Sequence, residues 1–147
     1  MTARHAKLLT VLAGLIALFD WTLKIYAIER LPPTGSLGGF VDLILHKNPG
    51  IAFDIPVPIW VIAPLTVVVC LWLAVFSYTN WSHTKSISTA ANIVIIGAAG
   101  NLTDRLMHGF TTDYILLFEK TVINLADILI ITGIFGLLWY TRNTRTN

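Results

Sequence analysis

Four apolar segments, each long enough to cross a bilayer as a helix, restrict the folds open to this chain of 147 residues. A membrane-spanning helix needs about 20 predominantly apolar residues. Segments of this kind run over Leu8–Ile28, Ile59–Tyr78, Ile87–Met107 and Ile123–Tyr140. Only 12% of the residues are charged, compared with about 25% in ordinary soluble domains. The sequence therefore predicts an all-α membrane protein with four transmembrane helices, in a single domain over residues 1–147.

The first apolar segment is also compatible with a cleaved signal peptide, because a short basic start precedes an apolar core. However, Asp20 and Lys24 follow that core within the same predicted helix. A signal peptide does not typically continue with an acid and a lysine. We therefore interpret the segment as a retained membrane span, in which these two residues lie four positions apart and can form an ion pair.

The two longer loops carry signals for extended structure. In Glu29–Pro58, turn-forming Pro, Gly and Asn residues separate two apolar stretches, Phe40–Leu45 and Ile51–Ile55. These stretches are typical of short strands, which would form a small hairpin at the membrane surface. In the loop Leu106–Val122, the stretch Thr111–Tyr114 also favours an extended conformation. We therefore expect a small β-rich region beside the helices.

The distribution of charge predicts the topology. In a four-helix arrangement, both chain ends and the turn Thr79–Ser86 lie on one side. That side carries five basic residues and no acid: Arg4, Lys7, Lys85, Arg142 and Arg145. The opposite side and its helix ends carry five basic residues and all eight acids. Because the first five bases sit in short flanks against the spans, the positive-inside rule favours cytoplasmic termini, with the acids at the outer face.

Polar residues are concentrated in Gly100–Asp127, between two apolar runs. Ionisable groups within membrane segments are costly and mark candidate functional sites. Asn101 and Arg105 share one helical face, because they are four positions apart. Asp20 lies about 18 Å along the first span, at a rise of 1.5 Å per residue, which places it in the outer half of the membrane. We therefore expect polar groups from separate segments to meet at one depth.

Asp113 and Asp127 are the best candidates for a catalytic pair, because both stand at the outer ends of segments that must pack together. Two carboxylates near an apolar medium share one proton and titrate as a unit. Such a pair can deprotonate a water molecule and protonate the carbonyl under attack. No Ser-His-Asp arrangement competes with it, and Cys70 lies in an apolar run. The four histidines and single cysteine show no metal-ligand spacing, so we expect no metal.

Five motifs, in order and over nearly the whole chain, resemble those of signal peptidase II, a family of bacterial membrane aspartyl proteases. They are Asp20 with Lys24, Asn48-Pro49-Gly50-Ile51-Ala52-Phe53, Gly100-Asn101-Leu102-Thr103-Asp104-Arg105, Gly109 with Asp113-Tyr114-Ile115, and Asn124-Leu125-Ala126-Asp127. Each motif alone is weak. Five in the family's order, with four predicted spans, make the resemblance specific.

The resemblance implies a role for each of nine residues. Asp113 and Asp127 would be catalytic. Four residues would bind substrate: Asn48, Asn101, Arg105 and Asn124. Three would support them: Asp20, Lys24 and Asp104. In particular, Asp104 would hold Arg105 and the nearby loop, and Asn124 would orient Asp127 or the substrate.

The resemblance also implies the reaction. The substrates would be prolipoproteins whose cysteine already carries diacylglycerol, and cleavage by activated water would fall just before that cysteine. We expect no cofactor, no nucleic-acid partner and contact with membrane lipids. We further expect a monomer in the bacterial cytoplasmic (inner) membrane, with its active site at the outer face.

Departures from the family's pattern keep a second interpretation open. Trp21 and Leu23 stand where the family usually has Gln and Thr, and Thr111 and Thr112 stand where two valines are common. A catalytically silent paralogue that binds lipoprotein precursors would tolerate such changes. A third interpretation is a small proton-coupled transporter that uses the acids as proton carriers, although the cytoplasmic half of the chain has almost no polar groups to complete a path.

Overall fold

The computed structural model describes residues 1–34, 40–51 and 55–144, with side chains up to residue 142. Within these ranges the chain forms four long helices and one three-stranded sheet. The helices are α1 (Ala3–Arg30), α2 (Ile59–Asn80), α3 (Lys85–His108) and α4 (Leu125–Thr144). The strands are β1 (Val41–Asn48), β2 (Thr111–Leu117) and β3 (Thr121–Ile123). All four helices are long and apolar enough to cross a membrane, which confirms the predicted fold class.

Helix α3 lies at the centre of the bundle and packs against the other three helices. Two glycines allow α3 and α4 to approach closely, as small residues do in membrane helix pairs. A Cβ atom added to Gly97 would lie 2.6 Å from the carbonyl oxygen of Ala126. One added to Gly133 would lie 2.5 Å from Cγ2 of Val94. The helix that carries Asp127 is therefore held tightly against the helix that carries Asn101.

The sheet joins the two loops at one end of the bundle. Strand β1, from the first loop, pairs antiparallel with β2 from the second loop, and β2 pairs antiparallel with β3. The register places Asn48 opposite Thr111, and His46 opposite Asp113. The extended conformation predicted for residues 111–114 is present as part of β2. The sheet therefore brings residues of the first loop beside Asp113.

Two details of the predicted loop structure differ from the observed sheet. The stretch predicted at Phe40–Leu45 corresponds to β1, which is longer and takes its partner from the second loop. Most of the other predicted strand, Ile51–Ile55, lies outside the described residues, and its two described ends are not in a strand. Periodicity within one loop does not reveal this pairing, because the partner strand follows some 60 residues later in the chain.

The last span begins later than predicted. The sequence indicated a helix from Ile123, but Ile123 ends β3 and α4 begins at Leu125. Asn124 stands between them and accepts a hydrogen bond through its side-chain oxygen from the backbone N–H of Asp127, at 2.9 Å. This is the bond that an N-cap residue makes. The position of the cap, Asn124, therefore sets the start of α4, and the start of the apolar run at Ile123 does not.

Replacing Gly97 by alanine should destabilise the bundle by about 1–3 kcal/mol, the usual range for an overpacked core, because its new Cβ would press on the backbone of α4. Thermal unfolding in detergent would measure the change. Gly14→Ala is the matched control, since a Cβ there meets nothing within 4 Å. Equal melting temperatures for the two variants would contradict the close packing of α3 and α4.

Candidate active site

The N-terminus of α4 holds Asp127 in a fixed orientation. The backbone N–H of Asn124 donates to Oδ2 of Asp127 at 3.2 Å, while the backbone N–H of Asp127 donates to Oδ1 of Asn124 at 2.9 Å. This reciprocal pair has the form of a capping box. The first turn of a helix also favours a negative charge, because unpaired N–H groups point outward there. The short spacing of Asn124 and Asp127 in the sequence therefore has a local structural cause.

Asp113 lies on β2 and is held by two asparagine side chains. Nδ2 of Asn124 donates to Oδ1 of Asp113 at 2.6 Å, and Nδ2 of Asn48 donates to Oδ2 at 3.1 Å. Asp113 is 2% exposed. Because Asn124 bonds to both aspartates, it brings the two carboxylates that the sequence singled out to one place.

Burial raises the pKa of Asp113 to about 7, and the negative charge of Asp127 contributes to this rise. The hydrogen bonds from Asn48 and Asn124 and the positive charge of Lys24 act in the opposite direction. Near neutral pH, Asp113 therefore exchanges a proton readily. A group whose pKa lies close to the working pH is well suited to general acid–base catalysis.

Lys24 connects the first helix to the other side of Asp127. Its ammonium group donates to Oδ1 of Asn101 at 2.8 Å, and Nδ2 of Asn101 donates to Oδ1 of Asp127 at 2.7 Å. Lys24 also forms ion pairs with Asp20 at 3.3 Å and with Asp104 at 3.4 Å. Lys24, Asp20 and Asp104 are at most 2% exposed. Buried charges persist only when they are paired in this way.

Asp104 fixes the start of β2. Its Oδ2 accepts a hydrogen bond from the backbone N–H of Thr112 at 2.6 Å, and its Oδ1 accepts one from Oγ1 of Thr112 at 3.3 Å. Nδ1 of His108 lies 2.8 Å from the same Oδ1. Because Thr112 precedes Asp113 directly, Asp104 holds the backbone that carries the catalytic candidate.

We expected Asp104 to hold both Arg105 and the nearby loop. The hydrogen bonds and ion pairs described for Asp104 are with the loop, Lys24 and His108, and its negative charge also acts on Arg105, so the hold on Arg105 stays a prediction. Nη2 of Arg105 donates to the carbonyl oxygen of Gly50 at 3.0 Å. The backbone N–H of Gly50 in turn donates to Oδ1 of Asn48 at 3.0 Å.

The hydrogen bonds and ion pairs join all nine predicted site residues into one network. Its members are Asp20, Lys24, Asn48, Asn101, Asp104, Arg105, Asp113, Asn124 and Asp127. The sequence did not indicate roles for Thr112 and His108. The spacing of His108 four residues after Asp104 is a signal that we could have used. Thr112 has no comparable local signal, because it reaches Asp104 only through the turn at the end of α3.

The site brings two acidic side chains, Asp113 and Asp127, to one asparagine. Within the described residues, no three His, Cys, Asp or Glu side chains are grouped so as to hold a metal ion. What the site does contain is a buried acid that exchanges its proton near neutral pH, beside a second carboxylate fixed at a helix N-terminus. This arrangement can pass protons to and from a bound water molecule.

Solved structures share the fold. One bacterial membrane enzyme, solved by the in meso method at 2.3 Å resolution, superimposes with a TM-score of 0.84, covering 99% of this chain and 92% of its own, at 20% identity. A second, solved by the same method at 1.9 Å, gives a TM-score of 0.78, covering 95% of this chain and 93% of its own, at 19% identity. The chain thus has the same fold as these two bacterial membrane enzymes.

Sequence comparison then assigns the family. The model for signal peptidase (SPase) II matches residues 12–142, and the chain belongs to this family. The lipoprotein signal peptidase of Methylocella silvestris is 30% identical over 128 residues, covering 81% of this chain and 73% of the relative. The lipoprotein signal peptidase of Halothermothrix orenii is 32% identical over 131 residues, which cover 86% of this chain and 89% of the relative. The predicted resemblance is confirmed, and the protein is a membrane peptidase.

The raised pKa of Asp113 predicts a pH-dependent stability. Asp113 keeps its proton up to about pH 7 in the folded protein, whereas an exposed aspartate loses it near pH 3.9. At this position the unfolded state therefore binds fewer protons between these values, so the contribution of Asp113 to the free energy of unfolding falls as pH rises from about 4 to 7 and is constant above.

Asp113→Asn should weaken this pH dependence, because the variant cannot ionise at that position. Melting temperatures measured in detergent from pH 4 to pH 8 would show a shallower fall than in the wild-type protein. Glu119→Gln, an exposed acid near the end of β2, is the control and should follow the wild-type curve. Parallel curves for Asp113→Asn and wild type would show that Asp113 has no raised pKa.

Proposed function

We propose that this protein is an aspartyl endopeptidase that removes signal peptides from diacylglyceryl-modified prolipoproteins, cutting just before the lipidated cysteine. One observation carries the proposal: the buried Asp113 and the helix-capping Asp127 are joined by Asn124 within a signal peptidase II chain. Relatives such as that of Methylocella silvestris are named lipoprotein signal peptidases, which supports this class of substrate.

The two aspartates divide the proton transfers between them. Asp127 starts ionised and takes a proton from water, whose oxygen then attacks the scissile carbonyl carbon. Asp113 starts protonated and gives its proton to the carbonyl oxygen, as in aspartic proteases. When the C–N bond breaks, Asp127 returns its proton to the leaving amine, and one hydroxyl of the tetrahedral intermediate returns a proton to Asp113. Both carboxyl groups thereby recover their starting states.

The partners of each aspartate favour these starting states. Asp127 accepts hydrogen bonds from the side chain of Asn101 and the backbone of Asn124. Donors of this kind stabilise a carboxylate. Asp113 is the more deeply buried of the two, and burial favours its neutral form. Asp113 also accepts two hydrogen bonds, from Asn48 and Asn124, but burial outweighs them and raises its pKa. We therefore assign the acid to Asp113 and the base to Asp127.

Arg105 is our candidate for contact with the substrate backbone. Its Nη2 atom is anchored on the carbonyl oxygen of Gly50, while its buried Nε atom has no hydrogen-bond partner among the described residues. A peptide carbonyl would supply an acceptor. Asn48, Asn101 and Asn124 already hold the aspartates, and we propose that they contact the substrate from those positions.

An apolar groove between α1 and α4 supports the proposal of a lipid-linked substrate. It encloses about 480 Å³ and is lined by residues that include Leu12, Phe19 and Ile128. Phe19 precedes Asp20 and Ile128 follows Asp127, so the groove runs up to the level of the aspartates. The diacylglyceryl group could remain in contact with lipid while the scissile bond reaches the site.

We also propose the topology that the charges favour, with both termini in the cytoplasm and the site at the outer face of the bacterial inner membrane. In α1, the site residues Asp20 and Lys24 lie in the half nearer to Arg30. The basic flanks Arg4 and Lys7 lie at the opposite end. This separation agrees with the positive-inside rule.

Asp113→Asn and Asp127→Asn should each lower cleavage at least about a hundredfold, since each removes one proton-transfer group, while the protein still folds and inserts. The measurement is a gel-shift assay with purified protein in detergent and a diacylglyceryl-modified prolipoprotein. An unmodified precursor and the Glu119→Gln variant serve as controls. Retained turnover in either variant would refute the dyad. Precursor retained on a pull-down but never cleaved by wild type would favour the silent paralogue.

Arg105→Lys should raise KM about tenfold, with a smaller effect on kcat. Lysine keeps the charge but loses the planar group and its Nε donor. Initial rates over a range of lipidated precursor concentrations would separate the two constants. Arg142→Lys, at an exposed position near the end of α4, makes the same chemical change as a control. An unchanged KM in Arg105→Lys would exclude the proposed contact.

A further inference from the structure

Tyr114 forms a buried junction between three elements of the fold. The residue directly follows Asp113 on β2 and is 3% exposed. Its hydroxyl donates to Oδ1 of Asp20, on α1, at 2.8 Å. Oδ1 of Asp20 also accepts a hydrogen bond at 3.0 Å from the backbone N–H of Leu125, the first residue of α4. The Leu125 N–H also lies 3.4 Å from the Tyr114 hydroxyl, so α1, β2 and α4 meet at one point.

The N–H of Leu125 explains why this junction matters. The first N–H groups of a helix have no partner within the helix. The side chain of Asn124 accepts a hydrogen bond from the N–H of Asp127. Asp20 and the Tyr114 hydroxyl accept the hydrogen bond from the N–H of Leu125. The beginning of α4 is therefore fixed by two independent sets of contacts. Asp127 lies within this same first turn.

We infer that Tyr114 is a positioning residue for the reaction: its hydroxyl, through Asp20, ties the strand that carries Asp113 to the helix turn that carries Asp127. The inference rests on the proposed function. Successive side chains of a strand point to opposite faces, so Asp113 and Tyr114 leave β2 in opposite directions. Tyr114 therefore acts on the placement of the strand and takes no part in the proton transfers.

The hydroxyl is suited to this role at every relevant pH. Burial raises the pKa of Tyr114, and the negative charge of Asp20 raises it further, so the group keeps its proton. A hydrogen bond to a carboxylate is stronger than one between neutral groups. The other oxygen of Asp20 pairs with Lys24 at 3.3 Å, which fixes the acceptor from the opposite side.

Tyr114→Phe tests the inference, because it keeps the ring and removes only the hydroxyl. We expect kcat on a lipidated precursor to fall about ten- to a hundredfold, the range for a lost hydrogen bond to a charged group, with KM within about twofold. We also expect the pH–rate limb of Asp113 to move to lower pH. The charge of Asp127 contributes to the raised pKa of Asp113, and this contribution weakens when the two carboxylates move apart.

Tyr26→Phe is the matched control, because Tyr26 is 53% exposed on α1. It should leave kcat and the pH profile unchanged. A purely structural role for Tyr114 would lower the melting temperature of Tyr114→Phe without moving the pH limb or kcat, and that result would overturn the inference while leaving the proposed function intact. A wild-type protein that does not cleave the precursor would overturn both.

A double-mutant cycle with Asp20→Asn measures the coupling between Tyr114 and Asp20 in catalysis. This coupling can be measured even where the single variants lose stability. If the hydroxyl acts through Asp20, the effect of Tyr114→Phe on kcat should be several-fold smaller in the Asp20→Asn background than in the wild type. Equal effects in both backgrounds would show that the two residues act separately, against the inference.

Discussion

The unpaired backbone N–H groups at the start of α4 are the constraint on which the site depends. A helix end buried without partners is unstable, and this end lies among apolar helices. The chain meets the demand with acceptors from different elements, Asn124 from the adjoining segment and Asp20 from α1. These polar residues are held at the helix end for a structural reason, and the same placement sets Asp127 beside Asp113. The groups that complete the helix end are therefore also groups of the proposed active site.

The described part of the site holds more carboxylates than cations. Among the described residues, it gathers four carboxylates, those of Asp20, Asp104, Asp113 and Asp127, around two cations, Lys24 and Arg105. Burying an unpaired charge costs several kcal/mol, about the order of a domain's whole stability. One carboxyl group avoids this cost by keeping its proton. That group is Asp113, because its burial raises its pKa to about 7. The negative charge of Asp127 contributes to this rise, so the pKa of Asp113 reflects first its burial and then the excess of carboxylates around it.

Local patterns predicted the parts of the molecule that depend on local spacing. Hydropathy indicated the four helices, the four-residue spacing indicated the ion pair of Asp20 and Lys24, and the motifs indicated nine residues that the structure joins in one network. Patterns could not predict contacts between distant segments. Asn48 reaches Asp113 across 65 positions, and Tyr114 reaches Asp20 across 94. Such contacts depend on strand pairing and helix packing, which a single sequence does not display.

The bond between Asp20 and Leu125 spans 105 positions of the chain and joins the first helix to the last. Membrane helices enter the bilayer in sequence during synthesis, and a chain that has inserted only its first three helices lacks both α4 and Asp127. Its buried acids then have no complete set of partners. Under the proposed mechanism, the nascent chain stays inert until its final span arrives, so that the last step of membrane insertion sets when hydrolysis can begin.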